Sequence, residues 1–284
     1  GAALVARNIA RHLEVTFASM PRQWRPLVYC WRGGQRSAAM AHVLGSVGWP
    51  VRRLDGGYRA FRRQVVADLE ELPRRFRLRI VCGPTGSGKS RLLRHLAQRG
   101  AQVLDLEWLA RHRGSVLGAL PASPQPSQKH FETQLWSSLR SFDPQQPVFV
   151  ESESRRVGRL RLPDALLEHM RAAECVELRL PGEARIRLLR DEYAHFEADS
   201  AGLQQQLECL LPLHGRERVE TWKRLASEAR WEEMVARLLA EHYDPAYQRS
   251  ISRNFRRAGE AAPVELGTDS DDEFARAAAA LTRT

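Results

Sequence analysis

The chain has 284 residues, 43% hydrophobic and 27% charged, an ordinary globular composition that excludes wholesale disorder and leaves room for two small domains or one large one. Its 44 Lys and Arg against 34 Asp and Glu give a net charge of +10, which points to a polyanionic partner, nucleic acid first, over a merely solvated basic surface. No run approaches the length of a membrane span, and Cys30, Cys82, Cys175 and Cys209 lie far apart without a Cys-x-x-Cys; a membrane protein, a disulfide scaffold and a thiolate zinc site are excluded, no metal site is read from the side chains, and a reducing, cytoplasmic compartment is expected.

The chain begins Gly-Ala-Ala-Leu, without Met or a secretory signal, and reads as a fragment. Apolar spacing predicts a small α/β unit over 1–72, with helices at 2–13, 37–44 and 61–69 and strands at 26–29 and 51–54. Pro73-Arg74-Arg75 marks a hinge in a linker at 73–77. A second unit is expected over 78–257. Strands at 78–81, 101–106, 148–150 and 176–180 alternate with helices at 89–97, 130–142 and 164–173, the pattern of a parallel, doubly wound sheet. From 183 to 243 the pattern is almost all helical. Residues 258–284 are acidic and Ala-rich without a clear core face, and are expected to be a mobile tail.

The 78–81 strand runs into Gly83-Pro84-Thr85-Gly86-Ser87-Gly88-Lys89-Ser90, the full G-x-x-x-x-G-K-[ST] pattern between a strand and a helix. Gly83, Gly86 and Gly88 let successive N–H groups face an anion, and the helix start adds positive potential. Lys89, one of only three lysines, reaches the outer phosphate oxygens, and Ser90 can ligate Mg²⁺. A second acid is expected at a neighbouring strand end. Glu151, after Val148-Phe149-Val150, is one candidate and Asp105 another, with Glu107 close by; a structural hydrogen bond is the competing role for Glu151. His112-Arg113-Gly114-Ser115 is placed to cover the same pocket.

In the first unit, Cys30-Trp31-Arg32-Gly33-Gly34-Gln35-Arg36-Ser37 follows a buried strand and opens a helix. Backbone N–H groups and a helix start favour thiolate over thiol there. Gly33 and Gly34 let the loop curl, and Arg32 and Arg36 complete an anion cradle with Cys30 at its floor. The competing role is a buried, inert cysteine, the role expected of Cys82, Cys175 and Cys209.

The cysteine loop followed by Leu54-Asp55-Gly56-Gly57-Tyr58-Arg59-Ala60-Phe61 resembles the second half of a rhodanese domain. Its direct fusion to Gly-Pro-Thr-Gly-Ser-Gly-Lys-Ser, then Asp105-Leu106-Glu107 with His112-Arg113-Gly114-Ser115, and Glu151-Ser152-Glu153-Ser154-Arg155, resembles the bacterial tRNA 2-selenouridine synthase family over roughly 1–257. The implied fold is α/β: a partial rhodanese-like domain, lacking its N-terminal part, followed by a P-loop parallel-sheet domain with a helical C-terminal segment. The resemblance implies replacement of sulfur by selenium in wobble 2-thiouridine. Selenophosphate is the implied donor, and geranyl diphosphate the source of an S-geranyl-2-thiouridine intermediate. Cys30 is the implied selenium carrier. No tightly bound cofactor is implied. The implied partners are a tRNA anticodon arm and the enzyme that supplies selenophosphate.

Three features of the residues agree with that resemblance. Five residues separate Cys30 from Arg36, a cup wide enough for a tetrahedral anion. A P-loop can grip a diphosphate without hydrolysing a nucleotide. The basic surface suits tRNA, with Arg52, Arg53, Arg59, Arg62, Arg63, Arg74 and Arg75 as candidate phosphate contacts. The alternatives are a P-loop ATPase or kinase with a regulatory rhodanese-like module, a tRNA-binding protein without catalysis, and a cysteine phosphatase using Cys30 and Arg36.

Overall fold

A computed structural model describes every residue except Gly33, Ala122 and Thr284, and all side chains of the described residues except that of Ala198. Two units divide between Asp68 and Leu69. The first, Gly1–Asp68, begins with helix α1, Ala2–Arg11, which runs into a wider turn at His12–Thr16. Strand β1, Leu27–Val28, lies parallel to β2, Arg52–Arg53, with Leu27 opposite Arg52. Helix α2, Gln35–Ser46, lies between them in sequence, and α3, Gly57–Glu71, follows. The strands predicted at 26–29 and 51–54 therefore pair, but over two residues each. Trp24 packs edge-on against Trp49 at 5.2 Å and against Phe17 at 4.9 Å, and the Trp49 indole N–H donates to Pro21 O at 3.0 Å. These aromatics fix the long connection that precedes β1.

The second unit, Leu69–Thr284, is built on a five-stranded parallel sheet. Its elements in chain order are β3 (Leu78–Cys82), α4 (Lys89–Gln98), β4 (Gln102–Leu104), α5 (Leu106–Ala110), α6 (Gln128–Ser141) and β5 (Val148–Glu151). A short hairpin, β6 (Arg156–Val157) and β7 (Leu160–Arg161), precedes α7 (Asp164–Ala172) and β8 (Glu174–Arg179). Helices α8 (Gly182–Glu192), α9 (His195–Ala198), α10 (Ser200–Glu208), α11 (Leu211–Ser227), α12 (Trp231–Leu238) and α13 (Asp244–Asn254) follow, then β9 (Ala262–Glu265) and α14 (Asp271–Leu281). The sheet order is β4-β5-β3-β8-β9. Strands covered on both faces read as apolar runs, as in Leu78, Ile80, Val81 and Val148-Phe149-Val150, each at most 2% exposed. The chain leaves central β3, visits the far edge at β4, returns at β5 and then crosses to β8. The carboxyl ends of β3, β4 and β5 thus border one crevice, where open α/β sheets bind ligands. Helices α10–α12 enclose a second core around Trp222, Leu207, Leu210 and Val219.

Cys209, expected to be buried like Cys82 and Cys175, is exposed, and in the strand expected to be buried before Cys30, Leu27 and Tyr29 are 59% and 57% exposed. Two further sequence expectations need correction. The strand expected at 101–106 stops at Leu104, because Asp105 caps a helix by accepting the Trp108 N–H at 2.8 Å. The mobile tail expected at 258–284 is instead part of the fold. Strand β9 extends the sheet, pairing Val176 with Ala262 and Leu178 with Val264, and Pro263 is tolerated because β9 is an edge strand. Helix α14 buries Phe274, Ala277, Ala278 and Leu281, the i, i+3, i+4, i+7 positions of one helix face, in the same core as Leu92, Leu93 and Leu96 of α4. Asp271, Asp272 and Glu273 occupy the first turn of α14, where a helix favours acids.

Candidate active site

Each unit carries one anion-binding arrangement. In the second, the loop after β3 winds from Gly83 to α4. Gly88 has a left-handed backbone, φ +84, and a Cβ there would collide with the Phe274 ring, so α14 packs directly on the phosphate loop. Lys89 Nζ donates to Gly83 O at 3.0 Å, folded over the loop it would share with a phosphate. Arg185 on α8 donates through Nε and Nη2 to Thr85 O at 3.0 and 2.7 Å, and pairs with Asp244 of α13 at 2.5 Å. One buried guanidinium thus ties the loop to α8 and α13.

The acids converge on the same crevice. Ser90 Oγ donates to Glu107 Oε2 at 2.8 Å, and the Glu107 backbone N–H donates to Glu151 Oε1 at 2.7 Å. Glu151 Oε2 is buried without a hydrogen-bond partner among the described residues. Glu153 shares a hydrogen bond with Glu107. Burial, then mutual repulsion, pushes the Glu153 carboxyl up to about 8 and raises Glu151 well above the usual carboxylate range. Burial also raises Glu107 and Glu192, and pushes Asp105 up to about 6. The pocket therefore holds protons, or awaits a cation, at neutral pH. Gly114 lies against the Glu153 and Glu107 carboxylates, so the 112–115 segment covers the pocket as expected from the sequence. The cavity, about 660 Å³, is lined by Gly83, Gly86, Gly88, Lys89, Ser90 and Asp105 among others. A smaller apolar recess shares Thr85, Ser115, Leu189, Tyr193 and Tyr243 with it and continues to Phe196, Leu203, Met234 and Leu238.

In the first unit, Cys30 sits between β1 and α2. Ser37 Oγ lies 3.3 Å from Cys30 Sγ and 2.9 Å from Gly34 O, and the thiol faces Arg32 O at 3.4 Å. The Ser37 hydroxyl, helped by backbone N–H groups of the loop, lowers the Cys30 thiol to about 7. The Asp55-Gly56-Gly57-Tyr58 turn folds back on the loop: Tyr58 N–H donates to Cys30 O at 3.1 Å, and Trp31 stacks on Tyr58 at 4.5 Å. Gly57 is required there, since its Cβ would lie 2.5 Å from Cys30 O. Arg32 and Arg36 are exposed. Gly33, expected in the cradle, lies outside the described residues.

Of the sequence-predicted residues, Gly83, Gly86, Gly88, Lys89, Ser90, Asp105 and Glu151 come together around the phosphate loop, and Cys30 stands with Gly34 at the start of α2. Ser90 pairs with Glu107, while Asp105 serves as a helix cap. Sequence reasoning missed Ser37, although it ends the cysteine motif, and gave no role to Arg185 or Glu192, which only the tertiary fold brings to the phosphate loop and to the pocket respectively.

Strand–P-loop–helix geometry at the switch point of a parallel sheet defines a P-loop protein. A family model described as the tRNA 2-selenouridine synthase AAA domain matches residues 76–211. A tRNA 2-selenouridine synthase of a Sulfurovum species is 33% identical over 258 residues, 81% of this chain and 70% of that protein. That of Alcanivorax borkumensis is 32% identical over 82% of this chain and 70% of its own. That of Nitrosomonas europaea is 37% identical over 60% of this chain, but the match spans only 44% of the relative's length. No solved structure shows significant similarity. The chain belongs to the tRNA 2-selenouridine synthase family. Among the described residues no helix is long and apolar enough to cross a membrane.

Proposed function

We propose that the chain modifies the wobble uridine of tRNA, exchanging the sulfur of 2-thiouridine for selenium through two sites. At the phosphate loop, Lys89, the loop N–H groups and the start of α4 hold the diphosphate of geranyl diphosphate. The thiouridine sulfur attacks the geranyl C1, a C–S bond forms, the C–O bond breaks, and diphosphate leaves. The apolar recess between Leu189, Phe196, Met234 and Leu238 accommodates the hydrocarbon chain. The selenium step is placed at the Cys30 loop of the rhodanese-like unit. The selenium of selenophosphate attacks C2 of the geranylated uridine, a C–Se bond forms, the C–S bond breaks and thiogeraniol leaves, and water then cleaves the Se–P bond to release phosphate.

The observation that carries this reading is the apolar recess opening from the phosphate-loop cavity, with Thr85, Ser115, Leu189, Tyr193 and Tyr243 common to both. A prenyl diphosphate needs a charged end and an apolar end together, and the shared lining joins the two. The donor set also fits Mg²⁺: Ser90 and Glu107 supply oxygen ligands, and the unpartnered Glu151 Oε2 is poised to accept from a bound water. Bound there, the ion would neutralise charge on the leaving diphosphate.

The test is incubation with geranyl diphosphate and an anticodon stem-loop bearing 2-thiouridine, followed by mass spectrometry of the nucleosides. A mass gain of one geranyl group on the thiouridine is expected. ATP turnover stimulated by RNA, with no change in the nucleoside, would support the ATPase alternative instead.

A further inference from the structure

Seven tryptophans occur in the chain, and among the described residues only Trp31 and Trp108 are exposed, at 52% and 70%. An exposed indole offers a flat aromatic face on which a ligand can stack. Trp31 already has one face covered by Tyr58. No ring or guanidinium stacks on Trp108 among the described residues. Helix α5 is firmly set beneath it: Asp105 caps the helix, and Leu106, Leu109 and Ala110 are 0, 5 and 0% exposed. The indole is therefore presented outward by a fixed element, at the rim of the phosphate-loop cavity.

Its surroundings are cationic as well as aromatic. Exposed Arg94 and half-buried Arg113 line the same cavity. Arg113 lies over the Tyr193 ring at 4.6 Å, and its Nη1 is buried without a hydrogen-bond partner among the described residues. A free aromatic face and guanidinium groups lining one cavity, one of them with an unsatisfied donor, are the chemistry that holds an unstacked nucleobase with its flanking phosphates. A protein partner would call for a contiguous apolar patch, but Arg94, Asp105 and Glu107 share this rim. We infer that Trp108 is the stacking platform for the unpaired nucleobase that enters the phosphate-loop cavity, with Arg94 and Arg113 on the adjoining phosphates. The inference rests on the proposed RNA substrate and adds the residue that receives its base.

The test is fluorescence anisotropy with two labelled anticodon stem-loops, one intact and one abasic at the modified position, against wild type, Trp108→Ala and Trp108→Phe. Wild type should bind the abasic RNA about tenfold more weakly. Trp108→Ala should bind the intact RNA about tenfold more weakly than wild type does and should not distinguish the two RNAs. Trp108→Phe should keep most of the discrimination. A melting curve of Trp108→Ala that matches wild type separates lost stacking from lost folding, and if that variant melts early the Phe variant decides. Discrimination by Trp108→Ala equal to that of wild type overturns the platform while leaving the RNA substrate standing. Failure of wild type to bind either RNA overturns the RNA substrate itself, and the platform with it.

Discussion

Ser37 should control the reactivity of Cys30. Its hydroxyl, 3.3 Å from Sγ, is the largest influence that lowers the thiol from 9.0 to about 7. With a midpoint there, about half of Cys30 is thiolate at pH 7, and if all the lowering were lost roughly one molecule in a hundred would be. Ser37→Ala removes the hydroxyl but leaves the loop N–H groups, so the midpoint should rise by about one pH unit. Rates alone would understate the change. A thiolate of higher pKa is a better nucleophile, with a Brønsted slope of about 0.4–0.5, so about threefold of a roughly fivefold loss at pH 7 is recovered. The midpoint of the pH–rate profile is the cleaner observable. The assay is stopped-flow reaction with an aromatic disulfide from pH 5 to 10 in a Cys209→Ser background, where Cys82 and Cys175 are buried. The parent should titrate near 7 and the Ser37→Ala variant nearer 8. A Ser37→Ala profile superimposable on the parent, or a parent midpoint near 9, would refute the reasoning.

Lys89→Ala should weaken binding of inorganic pyrophosphate by about a hundredfold, since a charge-assisted contact in a sheltered pocket is lost; calorimetry at fixed salt measures it, and unchanged affinity would place the anion elsewhere. The raised Glu153 carboxyl, at about 8, means that the folded chain binds more protons than the unfolded chain between roughly pH 4.5 and 8, so stability falls as pH rises through that window. Glu153→Gln should flatten that fall by up to about 1.4 kcal/mol per pH unit, making the variant more stable than wild type at pH 8 relative to pH 5; an unaltered slope in urea titrations at several pH values would contradict it. Phe274→Ala empties a fully buried site against Gly88 and should cost about 3–5 kcal/mol in urea unfolding, whereas a dispensable tail would lose almost nothing.

The sheet and the phosphate loop were legible because both rest on local signals. Apolar runs such as Leu78–Cys82 can only be buried strands or buried helices, and the glycine–lysine pattern fixes which. The acids were legible one by one but not as partners. Nothing local says that Glu107, three residues beyond the strand, reaches Ser90 while Asp105 turns back to cap α5. The tail was misread for a different reason. Phe274, Ala277, Ala278 and Leu281 have the spacing of a core face, but two of the four are alanines, whose small apolar area was outweighed by the nearby acids. Arg185 could not have been found, because its partners, Thr85 and Asp244, lie 100 and 59 residues away.

The exchange of sulfur for selenium by two separate sites is tested most directly in cells that lack their own selenouridine synthase, by mass spectrometry of tRNA nucleosides after expression of this chain or its variants. The wild-type chain should restore 2-selenouridine. Cys30→Ser should yield none and accumulate S-geranyl-2-thiouridine, while Lys89→Ala should yield neither product. Undiminished 2-selenouridine from Cys30→Ser would contradict the assignment of the selenium step to Cys30 and the division of labour between the two sites.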